Sequence, residues 1–244
     1  MSTLGTRGPF GALFVALVVF LPLSLLVEES VLGRTFVTAG FTGILIAGLF
    51  VAQLSRPYLL VALVLFAVNL LAQWLDVAAF VNWRGSPLLR GGLGAAYFAY
   101  LVVVLARVLM RERRVSIDTV VGGINVYLLM GFTFAQFHWI VESLHPGAYS
   151  FGDLVMLDDG DPTNGPPFGV FLYFSFVTMT TLGYGDMSPI QPLAQLLSIA
   201  QAVVGQLYVA ILIGGLVALW MGGRMQELVE GEDETADGAR TSSD

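Results

Sequence analysis

Six runs of about 20 apolar residues, at roughly 9–27, 35–54, 58–80, 92–110, 117–141 and 192–221, dominate the chain. Each is long enough to cross about 30 Å of hydrocarbon as a single helix. Composition points the same way. The 244 residues are 56% hydrophobic and 12% charged, with a mean hydropathy of +0.79, and a soluble domain carries about twice that charge fraction. The fold class implied is an all-α membrane protein. The first run is not a cleavable leader, because Glu28 and Glu29 follow it without a small-residue cleavage site. The absence of Cys excludes disulfides, Cys-ligated zinc and thiol catalysis.

A seventh apolar stretch, Phe168-Gly-Val-Phe-Leu-Tyr-Phe-Ser-Phe-Val-Thr-Met-Thr180, is too short to span a bilayer. It reads as a half-helix that enters the membrane and turns back. Directly after it comes Thr181-Leu-Gly-Tyr-Gly-Asp186, which offers successive carbonyls, one threonine hydroxyl and two glycines. Glycine tolerates backbone angles that a Cβ forbids. Glycines alternating with bulkier residues let neighbouring carbonyls point one way along an extended strand. Such a column can replace the hydration shell of an alkali cation.

The string Thr178-Met-Thr-Thr-Leu-Gly-Tyr-Gly-Asp186 resembles the selectivity filter of tetrameric pore-loop potassium channels. That family usually has Val or Ile where this chain has Leu182; only the carbonyl of that residue meets the ion, so Leu is expected to serve. The resemblance implies six transmembrane helices plus a re-entrant pore helix and selectivity filter, assembled as a homotetramer, because one chain supplies one strand and a closed carbonyl ring requires four. It implies K+ sites at Thr181, Leu182, Gly183 and Tyr184, with Gly185 completing the filter. Asp186, Tyr173 and Thr180 are expected to support it, Asp186 from behind through Tyr173. Pore-helix C-termini aimed at a central cavity would favour a cation there. The permeant ion aside, no cofactor is implied; the expected partners are other copies of the chain and membrane lipid, with no nucleic acid.

The pore resemblance covers roughly 117–221, and residues 1–110 match only in helix count and order. The domain reading is therefore a four-helix transmembrane domain over 1–114, a pore domain over 115–222 and a disordered acidic cytoplasmic tail over 223–244. That tail is too short and too polar to fold, so the regulatory domains that many relatives carry are expected to be missing. In the last helix Gly205 lies 22 residues beyond Gly183, where the family commonly has a hinge glycine, and Gly214-Gly215 offers a second flexible point. Ile213, Val217 and Met221 are candidates for an inner gate, closing as an apolar constriction.

An N-terminus placed inside leaves Arg7, Arg56, Arg107, Arg111, Arg113, Arg114, Arg224 and Arg240 in the cytoplasm, and only Arg34, Arg84 and Arg90 outside. This obeys the positive-inside rule and puts both termini in the cytoplasm, in the plasma or inner membrane. A voltage sensor needs a basic residue at every third position of its fourth helix. The fourth-helix core, residues 95–106, has no charge at all, so strong voltage gating is not expected.

Asn69, Gln73 and Asp76 share one face of the third helix and read as a polar seam closing the bundle. Gly122, Gly123 and Gly131 allow close approach to the fifth helix, which Ser116 is placed to cap. His138 and His145 have neither zinc nor hydrolase spacing and read as structural or surface residues. Glu142, Asp153, Asp158, Asp159 and Asp161 lie between 142 and 167, which contains no Lys or Arg. In a four-fold assembly these carboxylates would concentrate cations at the outer mouth. Two rival readings are a weakly selective cation channel, expected to break the Gly-Tyr-Gly that this chain keeps, and a coupled transporter or intramembrane enzyme. The latter needs convergent Ser-His, paired carboxylates or a broken-helix repeat, none of which is present. The chain is read as a non-enzyme.

Overall fold

A computed structural model describes residues 9–26, 31–52, 56–77, 86–111, 117–152, 166–212 and 214–215. The arginines at 7, 84, 113, 114, 224 and 240, the aspartates at 153, 158, 159 and 161, and Ser116, Ile213, Val217, Met221 and the tail 223–244 lie outside them. Side chains of Arg34, Arg56, Gln73, Asp76 and Arg90 are likewise not described.

Each apolar run lies on a helix. These are α1 (Pro9–Leu26), α2 (Val31–Ala52), α3 (Arg56–Val77), α4 (Ser86–Leu109) and α5 (Ile117–Leu144). The short stretch forms α6 (Phe168–Met179), and the last run forms α7 (Pro192–Leu212). Pro192 opens α7, where its missing N–H costs nothing. Among the described residues three segments are long and apolar enough to cross a membrane: Gly91–Leu109, Asp118–Leu144 and Pro192–Leu212. Shorter apolar helical segments accompany them at Phe10–Leu23, Ala39–Leu49, Tyr58–Ala72 and Phe168–Met179. The protein is a helical membrane protein.

The core does not stop between the first four helices and the rest. α4 packs along α5, and α1 packs on both α2 and α5 and also reaches α6. A relay of aromatic rings runs through this core. Phe41 of α2 lies edge-on to Phe98 of α4, with ring centres 5.1 Å apart, and Phe98 meets Phe132 of α5 at 5.7 Å. Phe20 of α1 also reaches Phe132, at 5.7 Å, and Phe132 meets Phe176 of α6 edge-on at 6.0 Å. Contacts of this kind add about 0.5–1.5 kcal/mol each beyond their burial. The glycines of α5 admit the neighbours as the sequence suggested. A Cβ on Gly131 would stand 2.6 Å from the Phe176 ring, and one on Gly122 would stand 2.7 Å from Leu109. Polar ties close the bundle: Asn125 Nδ2 donates to the Phe10 carbonyl at 2.8 Å, and the Tyr97 hydroxyl donates to the Leu45 carbonyl at 2.5 Å. Asn69, the part of the α3 polar seam whose side chain is described, is buried.

The remaining element is a small two-stranded sheet. β1 (Tyr149–Ser150) pairs antiparallel with β2 (Ser188–Pro189), Tyr149 opposite Pro189 and Ser150 opposite Ser188. It fastens the segment after α5 to the segment after Asp186.

Candidate functional site

Residues 180–185 emerge from the end of α6 as an exposed strand of irregular backbone, outside the two-stranded sheet. The backbone alternates along it. Thr181, Gly183 and Gly185 have φ of 59°, 57° and 80°, whereas Leu182 and Tyr184 between them stay out of the positive region. Two of the three left-handed positions are glycine, which takes that conformation at no steric cost. The third is a β-branched residue, for which positive φ is a genuine outlier costing about 1–3 kcal/mol. Such strain is held only where the surroundings over-determine it, and it concentrates at functional sites.

Those surroundings are the last turn of α6. The Phe176 carbonyl accepts the Thr180 amide at 2.9 Å, and the Thr178 carbonyl accepts the Thr181 amide at 3.1 Å. The Val177 carbonyl accepts both the Leu182 amide at 3.0 Å and the Gly183 amide at 3.3 Å. The Thr181 hydroxyl donates back to the Thr180 carbonyl at 2.6 Å, which leaves its oxygen lone pairs free to face an ion. Thr180, expected as support, donates its own hydroxyl to the Phe176 carbonyl at 2.7 Å.

The far end is also tied down. Asp186 accepts the Tyr173 hydroxyl on Oδ2 at 2.5 Å and the Met187 amide on Oδ1 at 2.9 Å. Beyond it the Ile190 amide donates to the Ala148 carbonyl at 2.8 Å, extending the β1–β2 pairing. Gly152 sits so close to this return that an added Cβ would stand 2.8 Å from the Asp186 carbonyl. Between the two anchors, the carbonyls of Thr181, Leu182, Gly183 and Tyr184 accept no hydrogen bond from any described residue. Backbone carbonyls buried in folded proteins are almost always paired; these four are exposed in the single chain and open to water or to a cation.

Gly205 of α7 faces the base of this strand. A Cβ there would stand 2.6 Å from Met179 Cγ and 3.1 Å from the Met179 carbonyl, so Gly205 is where α7 and the end of α6 touch. Among the described residues nothing stands within 4 Å of a Cβ added at Gly214 or Gly215. Of the remaining candidates for the inner gate, Ile213, Val217 and Met221 lie outside the described residues.

Sequence reasoning missed one neighbouring constellation. His138, read as structural or surface, is fully buried and bonded on both ring nitrogens, to the Tyr149 hydroxyl at 2.6 Å and to Gln201 Oε1 at 2.7 Å. His145, by contrast, is exposed. Glu142, expected in the acidic loop over 142–167, instead belongs to the last turn of α5. It is buried there and accepts the amides of Gly147 at 2.8 Å and Tyr149 at 3.1 Å. The helix runs past 141, which turns that carboxylate inward over the β1 segment.

Comparison with known proteins agrees with this geometry. Residues 126–221 match a protein family described as "Ion channel", a span that contains all of α6, the strand and α7. The chain is 36% identical over 92 residues to the Two pore potassium channel c of Oryza sativa subsp. japonica, covering 38% of this chain and 17% of that protein. It is 32% identical over 96 residues to the Two-pore potassium channel 3 of Arabidopsis thaliana, again 38% of this chain and 17% of the relative. The chain thus spans less than a fifth of the length of these relatives. Residues 126–221 thus match an ion channel family, a class of non-enzymes, and are distantly similar to plant two-pore potassium channels.

Proposed function

We propose that this chain is a subunit of a potassium-selective channel that conducts K+ passively through the carbonyls of Thr181, Leu182, Gly183 and Tyr184. The observation that carries the reading is the strand itself. Its backbone alternates about the two glycines, it is anchored at both ends, and its four middle carbonyls are unclaimed by any described residue. Carbonyl oxygens in such a column replace the water around a dehydrated cation, and the tethered ends keep them from collapsing onto a smaller one. Both relatives are named as potassium channels, which supports the same ion.

One strand supplies one quarter of a ring, so the working unit is a homotetramer around a central axis. Leu182 and Tyr184 remain exposed in a single chain. Of the three long segments α7 buries least, leaving Leu193, Leu196, Ile199, Val203, Leu207 and Ile211 open. These are the surfaces that neighbouring copies and lipid would cover. The chain lies in the plasma or inner membrane with both termini cytoplasmic, an orientation that the arginine distribution supports. α4 is uncharged through its core, and Arg107, near its end, is exposed and bonded to the Tyr58 hydroxyl at 3.4 Å. Conduction is therefore only weakly voltage-dependent.

Uptake of radioactive rubidium by liposomes containing the purified chain tests this reading. Rubidium uptake that external potassium suppresses and external sodium does not is the expected result. Equal suppression by both ions would favour a weakly selective cation channel, and no uptake would reject conduction.

A further inference from the structure

A chain of hydrogen bonds behind the strand joins four elements, and its direction follows from chemistry. Gln201 of α7 sends one amide hydrogen to the Ser175 carbonyl at 2.9 Å and the other to the Ser175 hydroxyl oxygen at 2.6 Å. A carbonyl only accepts, so the Gln201 nitrogen must face α6, and its oxygen must face His138. The imidazole of His138 must then carry its hydrogen on Nε2, leaving Nδ1 to accept from the Tyr149 hydroxyl. Burial first, and the nearby Glu142 carboxylate second, push the Tyr149 phenol up, so it remains a donor. The Ser175 hydroxyl closes the series by donating to the Gly131 carbonyl of α5 at 2.6 Å. Every donor in the series has an acceptor, and His138, Ser175, Gln201 and Tyr149 are all buried.

The endpoint of the series matters. Ser175 immediately precedes Phe176, Val177 and Thr178, the three residues whose carbonyls hold the amides of Thr180 through Gly183. The turn of α6 that sets the strand is thus referenced to α7 through Gln201 and to α5 through Gly131.

We propose that His138 and Gln201 are positioning residues for ion selectivity: through Ser175 they fix the last turn of α6, and through that turn the carbonyl column. The inference rests on the potassium-channel reading above. Only the Nε2 side of His138 points along this route; the Nδ1 side leads away, to Tyr149. Replacing His138 with Gln keeps a donor near the Nε2 position, whereas Asn keeps an amide near the Nδ1 position. Both lose the ring that packs edge-on against Phe174 at 4.9 Å, so a role in packing alone treats the two variants alike.

The test is the potassium-to-sodium permeability ratio of the reconstituted full-length chain, taken from reversal potentials in planar bilayers. A wild-type protein that conducts but does not discriminate the two ions would reject the potassium reading itself, before any variant is compared. With a selective wild type, His138→Asn and the nearly isosteric Gln201→Met should each lower the ratio about tenfold, the scale expected when a buried partner is left unsatisfied. The double variant should fall no lower than Gln201→Met alone, since both changes break one link. His138→Gln and Tyr149→Phe should stay within about twofold of wild type, because the route to Ser175 survives in each. Equal losses in His138→Asn and His138→Gln, or single effects that multiply in the double variant, would overturn the proposal. Should His138→Asn fail to assemble, Gln201→Met against Tyr149→Phe decides alone, and equal ratios in that pair overturn it.

Discussion

The Tyr173 hydroxyl donates to Asp186 Oδ2 at 2.5 Å, so the middle of α6 holds the residue that follows the second glycine. Thirteen residues separate the two in sequence, and the strand between them is the candidate filter. A hydrogen bond to a charged acceptor contributes about 1.5–3 kcal/mol. Tyr173→Phe removes the donor and leaves the ring. Single-channel recording should then show open times shortened about tenfold or more, on that energy scale, with potassium selectivity retained while the pore is open. Unchanged open times would show that the bond does not hold the outer end of the strand.

The two glycines make a sharper case. An added Cβ at Gly183 or Gly185 meets nothing within 4 Å, so crowding inside the subunit is no objection to a side chain there. The objection is φ, at 57° and 80°. A non-glycine residue in the left-handed region costs about 1–2 kcal/mol, and in the proposed tetramer the cost arises four times. Gly183→Ala and Gly185→Ala should therefore insert and assemble but lose potassium-over-sodium selectivity, as reversal potentials would read. Preserved selectivity in either variant would remove these residues from the filter.

How much of this was legible in the sequence depends on how far apart the cooperating residues lie. The helices were legible because bilayer thickness sets the length of an apolar run, and α6 because its run is too short. Tyr173 and Asp186 could be paired through the family resemblance. No signal of that kind marks His138 and Gln201, which are 63 residues apart on two apolar helices. A lone polar residue in such a helix carries no indication of its partner. The packing of α1 on α5, through Phe10 and Asn125 across 115 residues, was hidden for the same reason. Thr181 was read for its hydroxyl. Its positive φ runs against the preference of a β-branched residue and follows only from the turn of α6 that holds it.

Voltage dependence can be stated from charge alone. One elementary charge crossing the membrane field is worth about 2.3 kcal/mol per 100 mV. Between Gly91 and Leu109 the only charged residue is Arg107, which lies over the Tyr58 ring at 5.7 Å near the end of α4. Conductance should therefore change little between −100 and +100 mV, about the span over which several gating charges would act steeply. Arg107→Gln with Arg111→Gln should leave that shallow curve in place. A steep curve that those substitutions shift would mean that the helix moves charge after all.

The glycines of α7 separate close packing from bending. Gly205 abuts Met179, and the 3.1 Å approach of an added Cβ to the Met179 carbonyl is to backbone, which cannot swing aside as a side-chain end can. Gly205→Ala should overpack this junction at a cost of about 1–3 kcal/mol, lowering the melting temperature of the assembled protein and disturbing the end of α6. Gly214→Ala meets no described residue within 4 Å and should raise helix stability by about 0.8–1 kcal/mol through propensity alone. If Gly214 is instead a bending point for a gate below Gly205, Gly214→Ala will lower open probability without lowering the melting temperature. Thermal unfolding of both variants, alongside single-channel recording, therefore distinguishes the two roles. A Gly205→Ala protein as stable as wild type would show that α6 and α7 are not packed as closely as the Met179 contact requires.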